Sequence, residues 1–431
     1  MSKFVIEGSR QLSGTITASG NKNAALALLP ACLLTDEPVV LHNVPDIQDV
    51  RTTLCILDDL GVDVQQVAPG SWRVHAETLR TTELDPQLAG RIRASFVFSG
   101  PMLAREGRIT LPLPGGDVIG GRPLDTHVQG LRALGAEVML DEARGLFHIT
   151  ANSLRRAGHL LQAEASVTGT ENTIMAAVFA DGETIIENAA SEPHVRDLCN
   201  FLNSLGADIH GIGSNRIIIR GVERLGGGEF TIGADFMEVG SFIGAAVVTG
   251  GEVRIKRASP HDMRMIRLVY QRLGVDWRVE DEDIVVPGEQ SLKIESALGG
   301  RIPEIKPLPW PGFPPDLMSI AVVLASQSRG AVLLHDWMYE SRFFFVDKLK
   351  FMGARIVLCD PHRVLVQGPS ELFANPQGVT SPDIRAGMAM VLAALCARGT
   401  STIHNIQQID RGYEQVEKKL QQLGARIERV D

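Results

Sequence analysis

The stretch LRALGAEVML (residues 131–140) ends an amphipathic segment on a Leu-Gly pair and continues directly into β-type residues. Glycine is well suited to end a helix there, because the left-handed conformation that satisfies the last carbonyls carries no Cβ penalty in glycine. The same Leu-Gly or Met-Gly pattern recurs every 68 to 79 residues, at Gly61, Gly135, Gly206, Gly274, Gly353 and Gly424. This recurrence predicts six copies of one structural unit.

The rest of the unit recurs as well. An apolar helix, such as ENTIMAAVFADG (171–182), is followed by a Gly turn and a β-rich run, and an amphipathic helix then leads to the Leu-Gly stop. The order is β-α-β-α-β-β. Because the first helix is apolar nearly all round, it must be buried on every side, and one unit cannot do that alone. We therefore expect two α/β domains of three units each, with the apolar helices inside and the sheets outside.

Composition excludes several classes of protein. The 431 residues have a net charge of -9, which argues against a general nucleic-acid surface but leaves room for a local cluster of cations. Five scattered cysteines predict a reducing compartment and no disulfide framework. The sequence contains no signal-peptide pattern at its start and no apolar run long enough for a membrane span. We expect a cytoplasmic protein without membrane insertion or a nucleic-acid partner.

Polar residues lie at the starts of the apolar helices, and three of them, Lys22, Arg93 and Arg385, are cations. Each could be only a capping or first-turn residue. A cation at a helix N-terminus opposes the helix dipole, however, and a bound anion would explain it. We therefore expect one anion-binding face on each domain, with both faces lining a cleft for an anionic substrate.

Four motifs then carry a resemblance to a known family: GNKNAAL (20–26), PGGDVIGGRPLDTH (114–127), PGFPPD (311–316) and IDRGYE (409–414). Together they resemble the UDP-N-acetylglucosamine 1-carboxyvinyltransferases of the enolpyruvyl transferase family. The resemblance implies a two-domain inside-out α/β barrel of six β-α-β-α-β-β repeats. It implies that residues 22–233 form one domain, which carries a mobile loop at 112–123, and that residues 1–21 and 234–431 form the other.

The implied reaction transfers the enolpyruvyl group of phosphoenolpyruvate to the 3-hydroxyl of UDP-N-acetylglucosamine and releases phosphate, the first committed step of peptidoglycan synthesis. The family needs no metal or organic cofactor, and the sequence shows no C-x-x-C or H-E-x-x-H spacing. By resemblance Asp316 is the general base, and the catalytic set is Lys22, Asp117, Asp316 and Asp383. The implied substrate-binding residues are Asn23, Arg93, Arg122, Pro123, Asp125, Ser166, Arg342, Arg385 and Arg411.

Three positions depart from the family pattern. Asp117 stands where a cysteine is most often the general acid and the target of the epoxide fosfomycin; Glu164 stands where a lysine is common, and Phe236 where an arginine is common. Two alternatives therefore stay open: a paralogue acting on another nucleotide-linked sugar, and a non-catalytic nucleotide-sugar-binding relative. The sister reaction on shikimate 3-phosphate is disfavoured, because that family's Gly-Asp-Lys-Ser start is Gly-Asn-Lys-Asn here.

Overall fold

The computed structural model describes residues 2–116, 121, 123–375 and 377–430. These residues form two compact units. We call residues 2–19 with 234–430 the terminal unit, and residues 20–116 with 123–233 the central unit. Each unit has its own hydrophobic core.

The described helices are α1 (Lys22–Ala31), α2 (Gln48–Asp59), α3 (Pro86–Ala89), α4 (Ser99–Glu106), α5 (Asp125–Ala133), α6 (Val167–Ala177), α7 (Pro193–Ser204), α8 (Phe236–Thr249), α9 (Arg264–Arg272), α10 (Met318–Gln327), α11 (Val346–Phe351), α12 (Ile384–Cys396), α13 (Gln407–Asp410) and α14 (Val416–Gln422). Short 3₁₀ helices cover Cys32–Leu34, Arg93–Phe98 and Pro315–Leu317. None of the described helices is long and apolar enough to cross a membrane.

The described strands are β1 (Lys3–Glu7), β2 (Ser13–Thr17), β3 (Val39–His42), β4 (Asp63–Ala68), β5 (Ser71–His75), β6 (Arg108–Pro112), β7 (Glu137–Asp141), β8 (Leu146–Thr150), β9 (Gly158–Leu161), β10 (Glu183–Glu187), β11 (Asp208–His210), β12 (Arg216–Arg220), β13 (Gly228–Thr231), β14 (Glu252–Lys256), β15 (Arg278–Glu280), β16 (Asp283–Val286), β17 (Glu304–Ile305), β18 (Gly330–His335), β19 (Ile356–Asp360), β20 (Arg363–Gly368), β21 (Val379–Thr380), β22 (Thr400–His404) and β23 (Arg426–Val430).

Each unit contains three small sheets, all of them mixed except β6-β8-β7, whose strands pair antiparallel. The strand orders are β21-β22-β1-β23, β15-β16-β14-β2 and β17-β18-β20-β19 in the terminal unit, and β13-β3-β5-β4, β6-β8-β7 and β11-β12-β10-β9 in the central unit. Several strands, such as β1 and β6, alternate buried and more exposed residues, so one face of the sheet packs on the core. The apolar helices α8, α10 and α12 contact one another in the terminal unit, and α1, α4, α6 and the 3₁₀ segment Arg93–Phe98 are the counterparts in the central unit. This arrangement confirms the α/β fold of repeated units.

The sheets also show where the chain passes from one unit to the other. Strand β9, before α6, pairs in parallel with β10, which follows α6. Strand β2, before α1, pairs instead with β14, which follows α8, and β13, before α8, pairs with β3, which follows α1. Two repeats have thus exchanged their first strands. The passages lie near Gly20 and Gly233, where Asn21 N donates to Gly233 O and Asp235 N donates to Ser19 O.

The six repeat glycines end the amphipathic helices as predicted. Their φ angles lie between 80° and 109°. Only glycine adopts such values freely, which is why each helix stops there and the chain turns into a strand.

Candidate active site

Asp316 is held between two buried arginines in the terminal unit. It lies in the 3₁₀ turn Pro315–Leu317 that leads into α10. Arg342 donates from Nη2 to Oδ1 at 3.1 Å, and Arg385 donates from Nε to Oδ2 at 3.1 Å. The Asp316 side chain is 30% exposed, whereas those of the arginines are 2% and 6% exposed. One guanidinium on each oxygen orients the carboxylate and leaves part of it open to a ligand.

Arg342 also contacts the chain segment that follows β18. Its Nε lies 3.6 Å from Asp336 Oδ2, and its guanidinium carbon lies 5.1 Å from the centre of the Tyr339 ring. Burial alone would lower the pKa of Arg342, but the carboxylates of Asp316, Asp383 and Asp336 outweigh it, and the pKa is raised. Arg342 is therefore a buried, permanently charged cation.

Arg385 is placed by the first turn of α12. The N-cap residue Asp383 accepts from the backbone N–H groups of Arg385 (2.8 Å) and Ala386 (2.9 Å) through Oδ1. The guanidinium carbon lies 5.1 Å from the centre of the Tyr413 ring. Burial opposes the charge, yet Tyr413 and Asp316 raise the pKa of Arg385. Within the described residues its buried Nη1 has no hydrogen-bond partner. Such a donor is costly unless a ligand accepts from it.

Arg411 follows α13 and comes two residues before Tyr413, the ring that underlies Arg385. It is half-buried, and its Nη1 donates to Gln408 Oε1 at 3.0 Å. The structure thus brings Asp316, Arg342, Arg385 and Asp383 into one network and places Arg411 on the neighbouring segment.

In the central unit, Lys22 is the first residue of α1 and is buried. Its Nζ lies 2.8 Å from Asp49 Oδ2, in the first turn of α2. Asn21 caps α1 by accepting from Ala24 N at 2.9 Å, and the half-buried Asn23 follows Lys22. The Asp49 carboxylate offsets the unfavourable interaction of Lys22 with the helix dipole. Asp49 was missed at the sequence level, because its 27-residue separation from Lys22 matches no helical or strand spacing.

Arg93 begins the 3₁₀ segment Arg93–Phe98 and donates from Nη2 to Pro123 O at 3.3 Å. His127, near the start of α5, is buried. Its Nδ1 lies 2.7 Å from Asn172 Nδ2 and its Nε2 lies 2.9 Å from Thr168 Oγ1. Burial, reinforced by the Arg93 cation, lowers the pKa of His127 to about 3. His127 is therefore a neutral link between α5 and α6, a role that the sequence motif containing it did not reveal.

The N-termini of α5 and α6 lie together on the central unit. Asp125 is the exposed first residue of α5, and Thr126 beside it donates from Oγ1 to Glu164 Oε1 at 3.2 Å. Ser166 caps α6, with its Oγ accepting from Gly169 N at 3.3 Å. Helix N-termini present free backbone N–H groups, which suit an anionic or polar ligand. Glu164 adds a carboxylate to this place.

Two predicted site residues, Asp117 and Arg122, lie outside the described residues, as does part of the predicted loop at 112–123. Across the described ranges, no group of three or more His, Cys, Asp or Glu side chains could hold a metal ion.

Phe236, the third departure from the family pattern, is 1% exposed at the start of α8. Its ring centroid lies 5.5 Å from that of Trp310. Packing in the core of the terminal unit accounts for an aromatic residue at this position.

Comparison with known proteins matches the chain over almost its whole length. The sequence model of the EPSP synthase (3-phosphoshikimate 1-carboxyvinyltransferase) family matches residues 6–420. The UDP-N-acetylglucosamine 1-carboxyvinyltransferases of Bradyrhizobium diazoefficiens and Treponema denticola are 52% and 50% identical to it over 428 residues. Those alignments cover 99% of this chain and 98% and 99% of the relatives. The same enzyme of Borreliella burgdorferi is 52% identical over 430 residues, 100% of this chain and 99% of that one.

Solved structures share the fold. The enolpyruvyl transferase NikO from Streptomyces tendae superposes with a TM-score of 0.87 at 23% identity, covering 100% of this chain and 99% of that one. EPSP synthase from Acinetobacter baumannii superposes with a TM-score of 0.75 at 19% identity, covering 100% of both chains.

Proposed function

Because the chain belongs to the EPSP synthase (3-phosphoshikimate 1-carboxyvinyltransferase) family of enolpyruvyl transferases, we propose that it transfers the enolpyruvyl group of phosphoenolpyruvate to the 3-hydroxyl of UDP-N-acetylglucosamine. The proposed acceptor is the one named in the relatives called UDP-N-acetylglucosamine 1-carboxyvinyltransferase, which are 50 to 52% identical over 98 to 99% of their own length. The reaction would serve peptidoglycan synthesis, and through it cell shape and division, in the cytoplasm.

One observation supports the proposal that the network of Asp316, Arg342 and Arg385 binds an anion. Arg342 and Arg385 are buried cations that share one carboxylate, and Arg385 keeps a buried Nη1 without a partner in the described part of the chain. A planar guanidinium suits phosphate or carboxylate bidentately. Phosphoenolpyruvate carries both groups. With Arg411 nearby, the network has the chemistry to bind such a ligand.

The proposed role of Asp316 is that of general base. The sugar 3-hydroxyl oxygen would attack C2 of phosphoenolpyruvate while its proton passes to Asp316, and the methylene carbon C3 would take a proton from Asp117. Return of a proton from C3 to Asp117 and departure of phosphate from C2, which would take up the proton held by Asp316, would then restore the double bond in the product and both carboxyl groups. A carboxylate with oriented, partly exposed oxygens is suited to accept such a proton. Asp383 would act on the same centre, and it also places Arg385 through the α12 cap.

The remaining residues have proposed roles in binding. Lys22, with Arg93 and Arg122, would bind the anionic groups of phosphoenolpyruvate. Asn23 would bind the acceptor or reacting oxygen, and Pro123, Asp125 and Ser166 would bind the uridine part of the acceptor. The clustering of the α5 and α6 N-termini supports that second role, because backbone N–H groups at helix starts can donate to uracil or diphosphate.

Glu164 is the observation that favours an alternative acceptor. Its carboxylate lies at the start of α5, bonded to Thr126, where it would repel a diphosphate. An acceptor whose anionic groups lie away from Glu164 would avoid that repulsion. Phe236 no longer argues for that alternative, because its packing explains it.

The test is phosphate release from phosphoenolpyruvate by the purified protein with a panel of acceptors. We expect release with UDP-N-acetylglucosamine and a product heavier by one enolpyruvyl group in mass spectrometry. Turnover only with another nucleotide sugar, or with shikimate 3-phosphate, would reassign the acceptor. Binding of UDP-N-acetylglucosamine without turnover of any acceptor would identify a non-catalytic relative.

A further inference from the structure

Asp336 is a buried carboxylate behind the proposed site that the reaction scheme above does not use. It comes directly after β18 and is 0% exposed. Its backbone is fixed by His362: Asp336 N donates to His362 O at 2.8 Å, and His362 Nδ1 lies 2.7 Å from Asp336 O. The main chain at Asp336 is therefore held by His362, and the carboxylate it carries lies in the protein interior.

The two oxygens of Asp336 face different partners. Oδ1 accepts from the backbone N–H groups of Met338 (3.0 Å) and Tyr339 (3.1 Å), which shapes the turn that carries the Tyr339 ring. Oδ2 points to Arg342 Nε, 3.6 Å away. Among the described residues, neither Oδ2 nor this Nε has a hydrogen-bond partner. Each is thus the charged group that compensates the other.

We propose that Asp336 is a positioning residue for the transfer reaction, holding the Nε edge of Arg342 so that its Nη2 meets Asp316. The inference rests on the proposed function. Asp336 sets the guanidinium from two sides, through the ion pair at Nε and through the turn that places the Tyr339 ring 5.1 Å from the guanidinium carbon. Arg342 in turn orients the general base.

A purely structural role would not need a carboxylate. The turn at 336–339 requires one acceptor oxygen, which asparagine, serine or threonine also supplies. A fully buried carboxylate is costly, and the raised pKa of Asp336, which burial causes, reflects that cost. Within the described part of the chain, the charge of Arg342 is what gives this position a reason to carry an acid.

Asp336→Asn separates the two roles, because the amide oxygen can still accept from the turn while its NH₂ group faces the Arg342 N–H. We expect turnover to fall and the KM for phosphoenolpyruvate to rise, with kcat/KM reduced about 10- to 100-fold, as expected for a displaced catalytic group. Asp336→Glu, which restores the charge, should recover part of the loss. Asp347→Asn, an exposed aspartate of the same unit, is the control and should behave as the parent protein.

The NMR signal of the Arg342 Nε–H group, assigned by its loss in Arg342→Lys, gives a readout that needs no turnover. In the parent protein this proton should exchange slowly with solvent, and Asp336→Asn should shift its resonance. Rapid exchange in the parent protein, or unchanged kinetics together with an unchanged signal in Asp336→Asn, would overturn the proposal. A parent protein inactive on every acceptor would refute the proposed function alone, because the Nε signal still decides whether Asp336 holds Arg342.

Discussion

Asp316→Asn is the substitution that tests the proposed chemistry most directly. Asparagine keeps the size of the side chain but removes the charge between Arg342 and Arg385. One of the two carboxylate oxygens is replaced by an NH₂ group. At one of the two 3.1 Å contacts, that amide donor then faces an arginine N–H donor.

The catalytic and stability effects should differ in size. Loss of a general base costs about 10²- to 10⁴-fold in turnover, or about 3 to 5 kcal/mol in the activation free energy. Loss of a charge-assisted hydrogen bond costs about 1.5 to 3 kcal/mol of folding free energy when it is buried. Because the Asp316 side chain is 30% exposed, solvent screening should reduce that to about 1 to 2 kcal/mol.

The assay compares saturating phosphate release, acceptor affinity by calorimetry and thermal unfolding for the parent and Asp316→Asn proteins. Turnover should fall about 10²- to 10⁴-fold, and the acceptor dissociation constant should stay within a few-fold of the parent value. The melting temperature should fall by a few degrees. Asp360→Asn is a matched control. Asp360 lies in the same unit, is also 30% exposed and also pairs with an arginine, Arg363, so its substitution should leave turnover unchanged.

Turnover of Asp316→Asn within about threefold of the parent would rule out Asp316 as the general base, since a lost general base costs at least about 10²-fold. A loss of acceptor affinity equal to the loss of turnover would make Asp316 a binding residue instead.

Three further predictions follow, two on the central unit and one on Asp117. Asp49→Asn removes the carboxylate that faces the buried Lys22 and should lower the unfolding free energy by about 3 kcal/mol, measured as a lower denaturant midpoint. Asp58→Asn, at an exposed position of the same helix, is the control. Equal midpoints for the two variants would contradict this prediction. The pKa of His127 is about 3 in the folded protein but about 6.5 unfolded, so stability is fully present above pH 6.5 and falls as pH drops toward 3, by up to about 1.4 kcal/mol per pH unit. His127→Gln should flatten that slope in unfolding measured between pH 7 and 4, and an unchanged slope would show that other groups cause it. Fosfomycin should not inactivate the parent protein with time, because the Asp117 carboxylate is a weaker nucleophile than a thiolate. The Asp117→Cys variant should become sensitive to fosfomycin. A fosfomycin adduct on Asp117 of the parent protein would refute this prediction.

Much of the fold could be predicted because repeated local signals act within a few residues. Each Leu-Gly stop reflects a helix end that needs a left-handed residue, and the structure confirms it at all six positions, including Gly135. The composition of the apolar helices alone predicts that they are buried. The resemblance in four short motifs also led to Asp316, Arg342, Arg385 and Asp383, which lie together in the terminal unit.

The partners of these residues could not be predicted, since they come from another helix or from across an irregular turn. Lys22 on α1 forms an ion pair with Asp49 on α2. Arg342 pairs with Asp336 across a turn, and His362 hydrogen-bonds to the backbone of Asp336. No spacing rule links such pairs. Phe236 shows the converse case, because its departure from the family pattern looked like a change of specificity until its packing on Trp310 was known.

By itself, then, the sequence determined the repeat, the helix ends and the residue types available for anion chemistry, because these depend on local backbone preferences and composition. The family resemblance implied that the chain passes twice between two domains, but only the tertiary structure decided that β2 pairs with β14 and β13 with β3. It also decided which carboxylate each buried cation faces. Strand pairing and buried charge pairing are set by contacts between segments far apart in the chain, and their free energy depends on burial that exists only in the folded protein.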